Sequence, residues 1–249
     1  MSRMKLVDSF VSQLTGRLDE ANLHEALERA THDMSFHHFA LSRHLDRSRA
    51  LAPDIRSHNY PAGWVDEYDE RTLGSIDPVR RASERTVAGF AWSNLGDLIA
   101  LSETDRMTLE RGHRHGIGDG MTVPANIPGE VSGSCTFALR PGEVFPCHQF
   151  GTAQLIGTFA FEAARRLQND RRAPPTHALT ERQRDCVLWV ARGKSDWEVS
   201  KILGIRHDTV VQHLKMARER YDVEKRTSLV VRALFDGLFS FADIIRRRF

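Results

Sequence analysis

Apolar residues recur at helical spacing over residues 4–14 and 20–31, where Leu23, Leu27 and Ala30 share one face. The pattern then changes: over 35–43, Phe and Leu sit among short polar residues, as in a strand. Residues 59–71 carry more aromatics and acids than core aliphatics and hold a Pro in the first turn, where a helix tolerates it. Ser102 caps a charged helix predicted to run to His113. Two strands are predicted over 116–124 and 131–139, joined by a turn around Pro128 and Gly129, and a long apolar helix over 149–167. This order predicts an α+β domain, an antiparallel sheet with helices on both faces.

Residues 169–177, NDRRAPPTH, break the periodicity with charge and two prolines and are assigned as a linker. It separates a domain at 1–168 from a second at 178–249. There the pattern is all-helical, with three or four short helices. Thr180 caps the first, whose stripe of Val187, Leu188 and Ala191 stops at Gly193. A second runs from Trp197 to Leu203 and is broken by Gly204. A third, from Thr209 to Tyr221, buries Val210, Leu214, Ala217 and Tyr221 and turns Val211, Gln212, Lys215 and Arg218 outward. Neither an internal repeat nor a low-complexity segment interrupts the chain.

Composition narrows the class. With 41% hydrophobic and 27% charged residues, and no apolar run near the roughly 20 residues of a membrane span, the chain reads as a globular protein with no membrane partner. The start, MSRMKLVDSFVSQL, is amphipathic and holds an acid, unlike an export signal. Cys135, Cys147 and Cys186 are widely scattered and fit reduced thiols, so the expected location is cytoplasmic. The net charge of +2 hides an asymmetry: from Thr176 onward there are 15 Lys or Arg against 10 Asp or Glu, leaving the front negative. A basic tail suits an anionic partner, since Lys and Arg displace counterions from nucleic-acid phosphates.

The third C-terminal helix has the face to match. Gln can pair with base edges, Val meets thymine methyl groups, and Lys and Arg reach guanine or phosphate from a helix in the major groove. Spacing alone leaves a plain three-helix bundle with a wet charged face equally open. The residues themselves are more specific. LTERQRDCVLWVARGKSDWEVSKILGIRHDTVVQHLKMARERYDVEKRTSLVVRAL resembles the LuxR-type helix-turn-helix of bacterial transcriptional regulators, matching at Leu179, Thr180, Arg182, Trp189, Gly193, Lys194, Ser195, Leu203, Thr209, Val210, His213, Val223 and Arg226. The resemblance implies DNA contacts from Lys194, Thr209, Val211, Gln212, His213, Lys215 and Arg218. Two departures stand out: Gln183 replaces the usual Glu, and Arg206 the usual Ser before the recognition helix, which leaves Asp208 as the expected cap.

The front half lacks the acidic pair, phosphoacceptor Asp and Lys of a receiver domain. Its segment NYPAGWVDEYDERTLGSIDPVRRASERTVAGFAW instead resembles the autoinducer-binding domain of the quorum-sensing branch of that family, through Tyr60, Trp64, Tyr68, Asp77, Pro78, Trp92 and, further on, Gly120. The implied ligand is an N-acyl- or aryl-homoserine lactone, and no other cofactor. Leaving a buried polar group of the ligand unpaired costs about 1–3 kcal/mol, so each needs a partner. By resemblance, the Trp64 indole donates to the lactone carbonyl, Asp77 accepts from the amide N–H and Tyr60 donates to the amide carbonyl. Tyr68 and Trp92 wall the head group, and Thr136 adds a hydroxyl. Phe36 and Ile76, with Phe39, Leu41, Val65 and Cys135, are expected to shape the pocket for the acyl or aryl group.

Other constellations carry less. The pairs His37 with His38 and His113 with His115 lack further ligands for a metal. Cys147 beside His148 is a poor nucleophile arrangement, because adjacent side chains seldom face each other. GIGDG lacks a phosphate loop's ending. No catalytic or metal site is expected, and the chain is not read as an enzyme. It is read as a quorum-sensing regulator that binds its lactone and, as a homodimer, inverted-repeat promoter DNA, with RNA polymerase an allowed further partner. The alternative is a LuxR-type DNA-binding regulator with an unrelated small-molecule input or none.

Overall fold

The computed structural model describes residues 3–15, 18–44, 56–127, 132–169 and 179–245. The described residues divide into two compact units, the first holding those of 3–127 and 132–169 and the second those of 179–245. The expected turn at Pro128 and Gly129 lies outside the described residues, as does the expected linker from residue 170 onward.

The first unit opens with α1 (Arg3–Gln13) and α2 (Glu20–Asp33), the latter capped by Asp19, whose carboxylate accepts from the Asn22 N–H. After β1 (His38–Arg43) and β2 (Arg56–His58) come α3 (Ala62–Glu70), α4 (Pro78–Ser83), β3 (Phe90–Ala91), α5 (Leu95–Leu98) and α6 (Glu103–Arg114). The Ser102 cap is present and reciprocal: Ser102 accepts from the Asp105 N–H, and Asp105 accepts from the Ser102 N–H. Two hairpin strands, β4 (Gly120–Ala125) and β5 (Gly133–Ala138), precede the long α7 (Phe150–Asn169). All three expected strands, at β1, β4 and β5, begin later than the apolar pattern suggested. Ser35, at φ 64°, and Gly116, at φ 89°, are left-handed turn residues that delay the extended backbone.

The sheet is antiparallel throughout, in the order β2-β1-β5-β4-β3. Strand alternation sends Phe39, Leu41, Met121, Val123, Cys135 and Phe137 to one face. There they close a core with Phe10 of α1, Leu27 of α2 and Ile156 of α7. Small residues on α7 permit the close approach. A Cβ on Gly157 would sit 2.8 Å from Cγ2 of Val123, so the helix rests directly on the sheet. The other face presents Ala40, Ser42, Thr122, Ser134 and Thr136 toward α3 and α4, and is only partly covered by apolar groups. Pro124 is tolerated in β4 because β3 pairs only with Met121 and Thr122, which leaves Pro124 on an edge.

The second unit is helical: α8 (Glu181–Ala191), α9 (Asp196–Leu203), α10 (His207–Arg220), α11 (Arg226–Phe235) and α12 (Phe241–Ile244). Val187, Val199, Val210, Leu214, Ala217 and Tyr221 form its core, with Leu229 and Ala233 of α11. Thr180 caps α8 as expected, and Gln183 completes a reciprocal capping box while 1% exposed. A neutral amide thus fills a buried site without an ion to desolvate. Ser195 caps α9, and Gly204, at φ 65°, makes the left-handed turn into α10. The expected Asp208 cap is absent. Arg206 holds the cap position without a side-chain bond, while Asp208 lies inside the first turn, 93% exposed and 3.6 Å from His207. A cap must precede the helix in extended conformation, and Asp208 sits too late. No helix among the described residues is long and apolar enough to cross a membrane.

Candidate functional site

Between the open sheet face and α3, α4 and α6 lies a cavity of about 790 Å³. Two helices bring the aromatic and acidic groups to it. Pro61 begins α3, which places Trp64 and Tyr68 four residues apart on one side, their rings edge-on at 5.4 Å. Trp64 is 8% exposed and packs over Gly112, where a Cβ would lie 3.7 Å from its ring. Glu67, on the far side of α3, accepts from Arg111 and from His115 Nε2 at 2.7 Å, tying α3 to α6. These hydrogen bonds, His115 first, hold its carboxyl below the ordinary range.

Asp77 is the N-cap of α4. Its Oδ1 accepts from the Val79 N–H at 2.8 Å and its Oδ2 from the Tyr68 hydroxyl at 2.7 Å. A carboxylate has roughly four lone-pair sites, so acceptor capacity remains toward the cavity that Asp77 lines. Burial, then the Asp77 charge, raises the Tyr68 phenol well above its ordinary value; burial does the same to Tyr60. Both stay protonated donors. Trp92 donates through its indole N–H to Thr122 Oγ1 at 3.0 Å, and Thr122 is 3.0 Å from Thr136 Oγ1.

Of the residues singled out from sequence, Tyr60, Trp64, Tyr68, Asp77, Trp92 and Thr136 come together around this cavity, with Val65; Leu41 borders it along β1, but its side chain is buried in the helix-covered core. Phe36 and Ile76 do not. Phe36 is 1% exposed in the helix-covered core, its ring 5.8 Å from Phe137 and 5.9 Å from Phe145. Ile76 is 38% exposed and outside the lining. Phe39 and Cys135 likewise face the core, on the side of the sheet opposite Ala40 and Thr136. The cavity has lining residues that the motif did not indicate: Ser42, His44, His58 and Ser134. A signal for them existed in the polar alternation of Ala40, Ser42 and His44 along β1 and of Ser134 and Thr136 along β5.

In the second unit, the residues read as DNA contacts fall on and around α10. Val211, Gln212 and Lys215 form an exposed face with Met216, and Val211 is 41% exposed. Thr209 and His213 are half-buried beside them. Three candidates already hold partners: Lys194 Nζ donates to Glu198 at 3.1 Å, Arg218 donates to the Glu224 carbonyl at 2.8 Å, and Lys215 Nζ pairs with Glu219 at 3.9 Å. An exposed basic helix seated on a short helix and a tight glycine turn has the proportions of a major-groove reader.

Residues 19–167 match the autoinducer binding domain family, and residues 177–233 match the bacterial regulatory proteins of the LuxR family. The chain is 30% identical over 183 residues to the HTH-type transcriptional regulator y4qH of Sinorhizobium fredii, covering 72% of this chain and 55% of that longer one. It is 28% identical over 192 residues to the HTH-type quorum sensing-dependent transcriptional regulator RpaR of Rhodopseudomonas palustris, covering 77% and 78%. In three dimensions it is similar to SdiA of Escherichia coli, with a TM-score of 0.74, 20% identity, and 98% of this chain and 99% of that one covered. That likeness speaks to fold, while the family matches cover most of the chain and coincide with an aromatic, carboxylate-anchored cavity and a helix-turn-helix. The chain belongs to the LuxR family of quorum-sensing transcriptional regulators, with an autoinducer-binding domain followed by a LuxR-type helix-turn-helix.

Proposed function

We propose that the signal held in the cavity is an N-acyl- or aryl-homoserine lactone, and that the protein responds to it by binding inverted-repeat promoter DNA as a homodimer in the cytoplasm. The observation that carries the ligand class is the arrangement around Asp77. A capped, hydrogen-bonded carboxylate faces the cavity beside Trp64 and Tyr60, whose N–H and O–H make no hydrogen bond among the described residues. A lactone ring carbonyl, an amide N–H and an amide carbonyl complement that set of two donors and one acceptor. Two faces support dimerisation and DNA contact. Leu155 and Phe159, four residues apart on α7, are 40% and 37% exposed, and the open face of α10 carries Gln212 and Lys215.

Ligand can shift the protein between states only through its differential affinity for them. The test is thermal stability of the whole protein and its affinity for inverted-repeat DNA, each with and without a panel of acyl- and aryl-homoserine lactones. A rise in Tm with a change in DNA affinity supports the reading. No response to any lactone overturns it in favour of a DNA-binding regulator with another input. One observation favours keeping that second reading in the panel: SdiA, of the same fold, is known in complex with octanoyl-rac-glycerol, so monoacylglycerols belong beside the lactones.

A further inference from the structure

The sheet register orders the cavity floor into rows. Ala40 pairs with His58 and with Thr136, which pairs with Thr122; the next residues on that face are Ser42, paired with Arg56 and with Ser134. His44 follows, its backbone N–H bonded to the Ser132 carbonyl. Trp64 and Ala138 cluster beyond the opposite end of these rows, so the head group's aromatic wall and His44 stand at opposite ends of the floor. From Ala40 to His44 is four residues, about 13 Å along an extended strand.

A floor for a plain hydrocarbon chain would be apolar, since ligand pockets place polar groups only where they fix orientation. Here the far end holds Ser42, Ser134 and His44. The His44 Nε2 lies 3.0 Å from Ser134 Oγ, and its Nδ1 is buried with no hydrogen-bond partner among the described residues. Burial, and then the nearby Arg80 charge, push this imidazole down to about 3, so it is neutral, with one donor and one acceptor nitrogen. Whichever nitrogen carries the proton, Nε2 meets Ser134 and Nδ1 is left without a partner among the described residues, on a side chain that lines the cavity. A hydroxyl satisfies either tautomer, because it both donates and accepts; a methyl end satisfies neither. Of the cations lining the cavity, Arg56 pairs with Asp69 at 2.8 Å and Arg81 with Asp105 at 3.1 Å, while Arg80 lies over the Tyr68 ring at 5.4 Å with no ion pair among the described residues, so a carboxylate tail is the control that separates hydroxyl recognition from attraction to Arg80.

We propose that His44, Ser42 and Ser134 form a second polar recognition point, which selects a signal bearing a hydroxyl at the distal end of its acyl or aryl group. This rests on the lactone reading above. The full chain would be titrated with matched homoserine lactones: N-(8-hydroxyoctanoyl) against N-octanoyl, N-(4-hydroxycinnamoyl) against N-cinnamoyl, and an ω-carboxyl counterpart of the octanoyl compound. In at least one pair the hydroxyl member is expected to bind about tenfold tighter or better. His44→Phe, which keeps a ring but removes both nitrogens, is expected to abolish that preference while still binding the unsubstituted member. Should His44→Phe fail to fold, Ser134→Ala, which frees His44 from its anchor, is expected to reduce the preference. Equal or tighter binding of the plain tails, a preference for the carboxylate, or a preference that survives both substitutions overturns the proposal and leaves the lactone reading standing. If no lactone binds, both fall.

Discussion

Asp77 performs two tasks that substitution separates. In the ligand-free protein it caps α4 through Oδ1 and accepts the Tyr68 hydroxyl through Oδ2. Asp77→Ala removes both. A lost N-cap costs about 1 kcal/mol and a hydrogen bond to a charged group about 1.5–3 kcal/mol, giving roughly 3 kcal/mol for this half-buried site. For a unit of this size each kcal/mol moves Tm by about 2–4 °C, so the sensor transition should fall by about 6–12 °C. Asp77→Asn keeps the cap, since Asn serves nearly as well as Asp, and trades a charged hydrogen bond for a neutral one. Its cost should be near 1 kcal/mol, or about 2–4 °C. Toward the lactone the order reverses in meaning: Asn has lost the charged acceptor and presents amide hydrogens to an amide N–H. Affinity should drop by about ten- to a hundredfold although the fold survives. Calorimetry of both variants, with and without lactone, checks this. If Asn destabilises the free protein as much as Ala, the cap is not what Asp77 provides; if Asn retains the full ligand-induced rise in Tm, Asp77 is not the amide's acceptor.

Gly157→Ala would drive a methyl against Val123 and Cys135 beneath α7, and overpacking of that kind should cost about 1–3 kcal/mol in urea unfolding. Arg206→Ser would supply the missing cap of α10 and raise the melting point of the helical unit by about 0.5–1 kcal/mol of stability, an effect absent if Arg206 already secures that helix. Burial holds His44, His38 and His58 below the ordinary 6.5. The unfolded chain therefore takes up protons first, and stability present above pH 6.5 should drain away as pH falls toward the folded values. His44→Phe should flatten the part of that slope between pH 6.5 and 5 that His44 contributes, read from Tm against pH. Lys215→Ala should weaken DNA binding about evenly across sequences and lower the salt slope by about one, while Gln212→Ala should relax base preference instead.

Sequence periodicity located the long elements because α2, α6, α7 and α10 each repeat their apolar positions over several turns. It missed Arg56–His58, Phe90–Ala91 and Leu95–Leu98, which are too short to show a period and exist through pairing or packing with distant residues. The aromatic and acidic side of the cavity was legible because Trp64, Tyr68 and Asp77 are close in the chain and rare in kind. Phe36 was misplaced for the opposite reason. An apolar residue beside a strand says that it will be buried, but the face it joins depends on cross-strand register with Phe137, which lies about a hundred positions away. His44 and Ser134 become neighbours by that same register; the polar alternation of their segments marks the face they join but not their pairing.

The alternation along β1 and β5 also separates two selective demands within one stretch of chain. Positions 39, 41, 135 and 137 answer to α7 and the stability of the domain; positions 40, 42, 134 and 136 answer to whatever occupies the cavity. Because neighbouring residues serve different masters, the preferred signal can drift by single substitutions with the core untouched, so a lineage could change its chemical dialect without passing through an unfolded intermediate. An insertion of one residue in either strand would do the reverse, exchanging the two sets and abolishing recognition and folding in a single step.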